Sequence, residues 1–426
     1  MGNILELLKK HVFRRREANS KYSRSQPDHP ERLPVDKLTT IEKVTQEPNQ
    51  LPISTTTQTV ASSNVCSDFY LACRHNNLDE VQKILPTMTL DNVDRMEPNG
   101  STALHAACYH GHHRIVKLLL EIGANRAIPN KYKCLPYDEA KNDDIKELFL
   151  RMPNSDRLVS STGAIEWELI DDDDVLGKAV QERHIIKSLY DNVTKTTPID
   201  KMFENIEKNY INKGLNTIGG IEKIRRFFRQ ATEKKDPIWI ITAYTAETDF
   251  YRVLNTEIAT GTTKYQSERR YIIALISHHH SLEKLTFIGD AYRVMQINND
   301  DLKKYQIDHL LMTKSFLSSS IDQKIVELYA CQQDEAAQSQ IGVKARLKVD
   351  GTIIKSWILC KYRIKHRRTA LHIEDLSQYA NEGEILIMPY SVFKIKKIEQ
   401  VQLSFSKNVQ YVTEIDLEEC DQYLQT

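Results

Sequence analysis

The sequence predicts a multidomain chain, an all-α repeat solenoid over residues 66–152 followed by an α+β domain over residues 200–410. Three observations carry this. In the first stretch a unit recurs at a spacing of 33 residues. Between Val180 and Phe228 apolar residues fall at helical intervals. Past Pro237 the apolar runs shorten and are rich in β-branched and aromatic residues, with no regular strand–helix alternation. A chain of 426 residues has room for two or three domains, each with its own core.

Residues 1–65 read as a basic N-terminus and a tether. Met1-Gly2-Asn3-Ile4-Leu5-Glu6 begins like a myristoylation site, and Lys9, Lys10, Arg14, Arg15 and Arg16 supply the electrostatic second signal that stable anchoring needs. Glu6, however, stands where Ser or Thr is expected, and a solvated basic helix is the alternative. From Pro34 to Asn64 the chain is rich in Thr, Ser, Gln and Pro, which predicts a disordered tether. No run reaches 18 apolar residues and no secretory apolar region opens the chain. Seven cysteines, odd in number and without a Cys-x-x-Cys pair, argue against a disulfide framework or zinc finger and for a reducing compartment. The expected location is cytoplasmic, with a membrane surface within reach of the N-terminus. Lys plus Arg and Asp plus Glu both number 58, so no global field draws the chain to nucleic acid, and none is expected as a partner.

The repeat region centres on Gly100-Ser101-Thr102-Ala103-Leu104-His105-Ala106-Ala107-Cys108, then Gly111-His112, Ile115-Val116-Lys117-Leu118-Leu119-Leu120 and Gly123-Ala124-Asn125. This resembles the ankyrin pattern nearly residue for residue. Thr102 and His105 can hydrogen-bond across the turn that opens the first helix, Ala107 permits close helix approach, and Leu118 to Leu120 fill the stack. Weaker copies surround it, with Leu71-Ala72-Cys73 before and Pro136-Tyr137-Asp138-Glu139-Ala140 after. Three units are about the minimum for a stable solenoid, and degenerate outer units suit capping. Such repeats imply protein partners. His105 and Gly111-His112-His113 read as scaffolding.

Residues 153–199 read as a linker with a helical segment, where the acidic run Asp171 to Asp174 caps a helix or is solvated. Strand candidates in the following domain are Ile238 to Ile241, Tyr271 to Ile276, Thr286 to Ile288, Trp357 to Leu359 and Glu384 to Ile387. Phe250 to Ile258 and Asp322 to Cys331 read as helices, and residues 411–426 as a tail. No Gly-x-Gly-x-x-Gly follows a strand, so a dinucleotide would not bind by the Rossmann route.

Three distant segments carry chemistry: Tyr292-Arg293, Phe316-Leu317-Ser318-Ser319-Ser320, and Glu382-Gly383-Glu384 running into Ile385 to Tyr390. A guanidinium fork suits phosphate oxygens, a strand-end hydroxyl orients a carboxylate or ribose, and a carboxylate stabilises a ribose losing its leaving group. In this order they resemble the arginine–serine–glutamate signature of the mono-ADP-ribosyltransferases of the cholera-toxin and vertebrate ecto-enzyme branch. Ile240 to Thr245 and Phe250 to Asn255 are similar to that family's upstream stretch, and the likeness covers roughly residues 235 to 400. It implies two small sheets packed around a cleft behind N-terminal helices, NAD as co-substrate, no metal, and a protein acceptor. By that resemblance Glu384, Glu382, Ser318 and Arg293 are catalytic. Arg293, Ser318, Ser320 and Tyr292 line the cofactor, while Tyr379 and Glu382 meet an acceptor arginine.

Two positions depart from the family. Val294 and Asp308 stand where glycine is usual, which predicts a crowded cleft and reduced activity. An NAD glycohydrolase, or a non-catalytic ankyrin-based interaction protein with a degenerate transferase domain, are the alternatives. Ser277-His278-His279-His280-Ser281 is set aside as a metal site because consecutive histidines cannot all face one ion. The basic stretch Lys361 to Arg368 alternates with period two and reads as an exposed strand entering a turn; the functional alternative is a patch for nucleic acid or an acidic partner.

Overall fold

A computed structural model describes residues 65–151, 157–160, 167–170, 174–196, 198–339, 355–379, 381–402 and 411–421, with Leu7 and Phe13 ahead of them. The acylation motif, most of the basic N-terminus, the tether at 34–64 and Asp171 to Asp173 lie outside these residues.

The repeat region stacks helix pairs. Asp68–Arg74 and Leu78–Ile84 form one, Ala103–His110 and His113–Glu121 the next, and in the third only turns precede Asp143–Glu147. Thr102 and His105 form a reciprocal capping box, which satisfies donors that a helix start would otherwise leave unpaired. The other His105 nitrogen bonds the Cys134 carbonyl at 3.0 Å, tying one unit to the next. Burial lowers the His105 pKa to about 4, so the ring stays neutral and structural. Backbone bonds from Lys131 to Gly100 and from Lys141 to Cys108 continue the stitching.

The second domain begins earlier and ends later than its sequence limits. Its helical layer comprises Asp174–Thr196, Asp200–Asn205, Ile221–Lys234, Ile238–Thr245, Phe250–Ala259 and Gln266–His278. Ile238 to Ile241 and Tyr271 to Ile276, expected as strands, are therefore helical. Ile240 to Thr245 and Ile272 to Ser277 are buried throughout, so neither run shows the polar face that would reveal a helical period. Gln323–Ser339 and Phe250–Ala259 are helices as expected.

Among the described residues ten strands make one hydrogen-bonded sheet, nine on a single path and one beside it. They are β1 (Val159–Ser160), β2 (Trp167–Ile170), β3 (Gly289–Asn298), β4 (Leu310–Thr313), β5 (Leu317–Ser320), β6 (Lys355–Ile364), β7 (Ala370–His372), β8 (Glu384–Ile387), β9 (Val392–Gln402) and β10 (Tyr411–Glu419). Their order is β2-β4-β9-β10-β6-β3-β5-β8-β7, with β1 on β3. The two small sheets expected are the two parts of this path, joined through the single pair Tyr292–Ser320 where β3 and β5 part company. β10 sits between β9 and β6, so residues 411–419 are an interior strand and not a tail. Thr286 to Ile288 contributes only an isolated bridge from Thr286 to Leu371. β6, expected as exposed, is interior too, and its outward charges are neutralised by Asp290 and Glu418.

The repeats dock on the helical layer through charge. Arg226 spans Asp91 at 2.7 Å and the buried Asp94, whose carboxylate also accepts from the Asn125 amide. Beside this contact a cavity of about 390 Å³ opens between the domains, walled by Arg126, Lys223, Glu247, Gln378 and Tyr379. Burial, then the Arg126 charge, pulls the Lys223 ammonium down to about 7. In the unfolded chain it stays charged to about pH 10, so folding carries the full cost of burying the ammonium below pH 7 and sheds it as pH rises towards 10. Thermal melts of Lys223→Met against wild type should show a stability advantage that is largest at pH 6 and narrows towards pH 9. A gap that does not change with pH would exclude this account.

Candidate active site

The split between β3 and β5 gathers the charged residues. Gly383, at a φ of +56° that suits glycine, turns the chain into β8, so that Glu384 opens the strand opposite Ser320. Glu384 is fully buried. One carboxylate oxygen accepts from the Arg157 Nε at 2.7 Å and the other from the Ser377 hydroxyl at 3.1 Å. Burial pushes this carboxyl upward, but Arg157 and Arg151 outweigh it and hold the pKa below its ordinary value.

Arg157 fills the centre of the site. Its guanidinium lies over the rings of Tyr244 at 4.3 Å and Tyr251 at 5.1 Å and donates to the Tyr244 carbonyl. Its own carbonyl accepts from Arg293, whose same nitrogen also reaches the Ser318 carbonyl. The structure thus brings Arg293, Ser318 and Glu384 together around Arg157. Arg293 spans two backbone carbonyls in this state and does not stand open to a phosphate. The Ser318 hydroxyl neighbours both Glu384 and Tyr244, yet it is buried without a well-formed hydrogen bond, as are Arg157 Nη2, the Tyr251 hydroxyl and Asn255 Oδ1. Tyr244 and Asn255, from the two upstream stretches, are joined by a 2.9 Å bond.

Glu382 holds a second guanidinium. Arg151 gives it a forked contact, Nε at 2.9 Å and Nη2 at 2.7 Å, and reaches Glu247 at 3.0 Å through Nη1. The Tyr329 hydroxyl donates to Glu382 at 2.8 Å. The Tyr379 ring stacks on Arg151 at 4.1 Å and on Arg126 at 4.7 Å. A bidentate carboxylate beside an aromatic face is the arrangement that recognises a planar cation.

Other expectations change. Tyr292 packs with Val294 against the cluster that includes the helix Gln323–Ser339, whereas Ala291, Met295 and Ile297 of the same strand enter the opposite core. It therefore faces away from Arg293 and leaves the cofactor-lining set. Val294 shares that far face, so it does not crowd the cleft. Ser320 donates to the Glu382 carbonyl and accepts from the Asp322 amide, bracing the turn; it is no ligand group here. Asp308 adopts the left-handed φ of +72° that glycine would favour, on the surface beside Lys394. Among the described residues no group of three or more His, Cys, Asp or Glu could hold a metal ion.

Arg151, Arg157, Ser377 and Tyr329 were not legible as site residues. Isolated arginines after a repeat carry no motif, and only the sheet split shows where they go.

Residues 69–154 match the ankyrin-repeat family, in three copies. Acyl-CoA-binding domain-containing protein 6 of Bos taurus is 39% identical over 54 residues, 13% of this chain and 19% of that protein. Notch-regulated ankyrin repeat-containing protein of Homo sapiens is 38% identical over 65 residues, 15% of this chain and 57% of that protein. The chain thus spans about a fifth and just over half of these relatives' lengths. Among solved structures, the ADP-ribosyltransferase Vis in complex with an inhibitor overlaps 53% of this chain and 85% of that one, at 18% identity and a TM-score of 0.29. The type III effector XopAI of Xanthomonas axonopodis pv. citri overlaps 58% of this chain and 100% of that one, at 12% identity and a TM-score of 0.32.

The two serines near Glu384 should behave oppositely in the resting chain. Ser377 bonds both the carboxylate and the Tyr379 amide, so Ser377→Ala should lower stability by about 1–3 kcal/mol. Ser318 makes no well-formed hydrogen bond with its hydroxyl, and Ser318→Ala should stay within about 0.5 kcal/mol of wild type. Urea unfolding midpoints measure both; a larger loss for Ser318→Ala would reverse the assignment.

Proposed function

We propose that the chain transfers ADP-ribose from NAD to an arginine of a protein acceptor, releasing nicotinamide, while the ankyrin repeats recruit partners. The observation that carries this reading is the pair of carboxylates two residues apart, Glu384 buried beside Ser318 and Ser377, and Glu382 forked onto a guanidinium under the Tyr379 ring. An arginine acceptor needs such a cradle. The setting proposed is the cytoplasm, with the N-terminal segment giving reach to a membrane surface.

Glu384 would accept from a hydroxyl of the nicotinamide ribose and stabilise the cationic sugar as its C–N bond breaks, the electron pair leaving with nicotinamide. A guanidinium nitrogen of the acceptor then attacks the same carbon and loses a proton, for which Glu382 is the adjacent base. Tyr244 and Tyr251 offer ring faces to the cationic nicotinamide, and Arg293 reaches the ribose side from β3. With no acceptor present, water takes its place, which makes NAD hydrolysis a side reaction of the same site.

Labelled NAD with an arginine-rich acceptor tests the reading. Glu384→Gln should reduce nicotinamide release by about 100-fold or more. Glu382→Gln should keep hydrolysis and stop transfer to arginine. If neither wild type nor an Arg157→Ala variant, which uncovers Glu384, releases nicotinamide with any acceptor, the chain is a binding protein and not an enzyme.

A further inference from the structure

The position of β1 is unusual. β6 pairs with one edge of β3 along the whole strand. On the other edge β5 pairs only at Tyr292, and β1 takes over at Val294 and Met295. The segment 157–160 is therefore a wedge in the opening between the two parts of the sheet, where the catalytic groups meet. It is a slight wedge, two residues of strand with a 3.4 Å bond from the Val294 amide to the Leu158 carbonyl.

From this wedge Arg157 reaches Glu384, and from the end of the repeats Arg151 reaches Glu382. Both carboxylates assigned to the reaction are thus bound by arginines of the chain itself. The positions match those that substrates would need. Arg157 is a cation between two tyrosine rings and beside Glu384, as a nicotinamide riboside would be; Arg151 is a guanidinium on Glu382 and Tyr379, as an acceptor arginine would be. The fit at Arg157 is also incomplete. Its Nη2, the Ser318 hydroxyl, the Tyr251 hydroxyl and Asn255 Oδ1 are buried without well-formed hydrogen bonds, which marks a polar site shaped for a larger, more richly hydrogen-bonding occupant.

We propose that Arg151 and the segment 157–160 are an internal occupant of the acceptor and NAD positions, so that the chain shown here is latent and turns over only when that segment withdraws. This rests on the transferase reading of Glu382 and Glu384. Withdrawal also removes one of the two carbonyls that the Arg293 nitrogen now bonds, the Ser318 carbonyl remaining, so that this cation can turn towards the dinucleotide. The repeats touch the same place. Gln378, next to Tyr379, donates to Asn125 and accepts from the Arg126 amide, and Arg126 shares the Tyr379 ring with Arg151.

The test compares the full-length wild type with Arg157→Ala and Arg151→Ala, each first shown to be folded by circular dichroism. Arg157→Ala should bind NAD at least tenfold more tightly by calorimetry and release nicotinamide at least tenfold faster. Arg151→Ala should lower the KM for agmatine, a free guanidinium acceptor, about tenfold. Wild type that already turns over as fast as Arg157→Ala overturns the latent state while leaving the transferase reading intact. Absence of NAD binding and nicotinamide release from every folded variant instead defeats the transferase reading itself. Should Arg157→Ala not fold, hydrogen–deuterium exchange on wild type decides. Saturating NAD must deprotect the amides of 157–160 and Val294, and NAD bound with those amides still protected refutes the proposal. ADP-ribose found on Arg151 by mass spectrometry would make it an acceptor, which refutes its role as occupant.

Discussion

Two buried carboxylates set the terms for the rest of this molecule. Glu382 and Glu384 are almost wholly removed from water, and an uncompensated ion in such a place is costly enough that the fold must supply counter-charge or the groups must protonate. The chain supplies it with Arg151 and Arg157 and reinforces it with hydroxyl donors from Tyr329 and Ser377. The wedge at β1, the seating of the repeats against the 377–379 loop, and the engagement of Arg293 with two carbonyls all follow from bringing those arginines to those acids.

Legibility in the sequence depended on how local each signal is. The central ankyrin unit carries its whole mechanism within a few residues, and the Thr102–His105 box forms as its spacing implies. Arg293, Ser318 and Glu384 were readable because each sits in a short motif, and the sheet then brings them together around Arg157. Tyr292 was misplaced because adjacency in sequence was read as adjacency in space, whereas neighbours on a strand face opposite ways. Ile238 to Ile241 looked like a strand because a helix buried on every side loses its period. β10 does alternate, with Thr413, Ile415, Leu417 and Glu419 buried and Glu414, Asp416 and Glu418 less so, but its acidic outer face resembles a solvated tail. The pairings Arg151–Glu382 and Arg157–Glu384 span more than two hundred residues and follow no pattern that one segment alone could display.

The repeats and the α+β domain meet through specific contacts. Asp94 ties the Asn125 turn to Arg226, and that same turn holds Gln378, one residue from the ring that stacks on Arg151. A partner that altered the seating of this turn would reach Arg151 and Glu382 through the Asn125–Gln378 hydrogen bond and the Tyr379 ring, discrete contacts that are made or broken.

Why arginines should fill the site, and not an apolar plug, has a physical answer. A buried ion pair gains little over a hydrophobic pair of similar volume, because the desolvation of both charges offsets their attraction. What it gains is exchangeability. An apolar plug over Glu384 would leave a bare carboxylate, whereas a guanidinium satisfies it and can be traded for another cation of similar shape. NAD carries such a cation in its nicotinamide ring, and an acceptor arginine carries the same group as Arg151. In the proposed reaction the features that would recognise substrate, two carboxylates and the rings of Tyr244, Tyr251 and Tyr379, are therefore the features that hold the arginines now. Neither can be strengthened without strengthening the other, so the balance between them is set elsewhere, in the short pairing of β1 with β3 and in the contacts of the repeats.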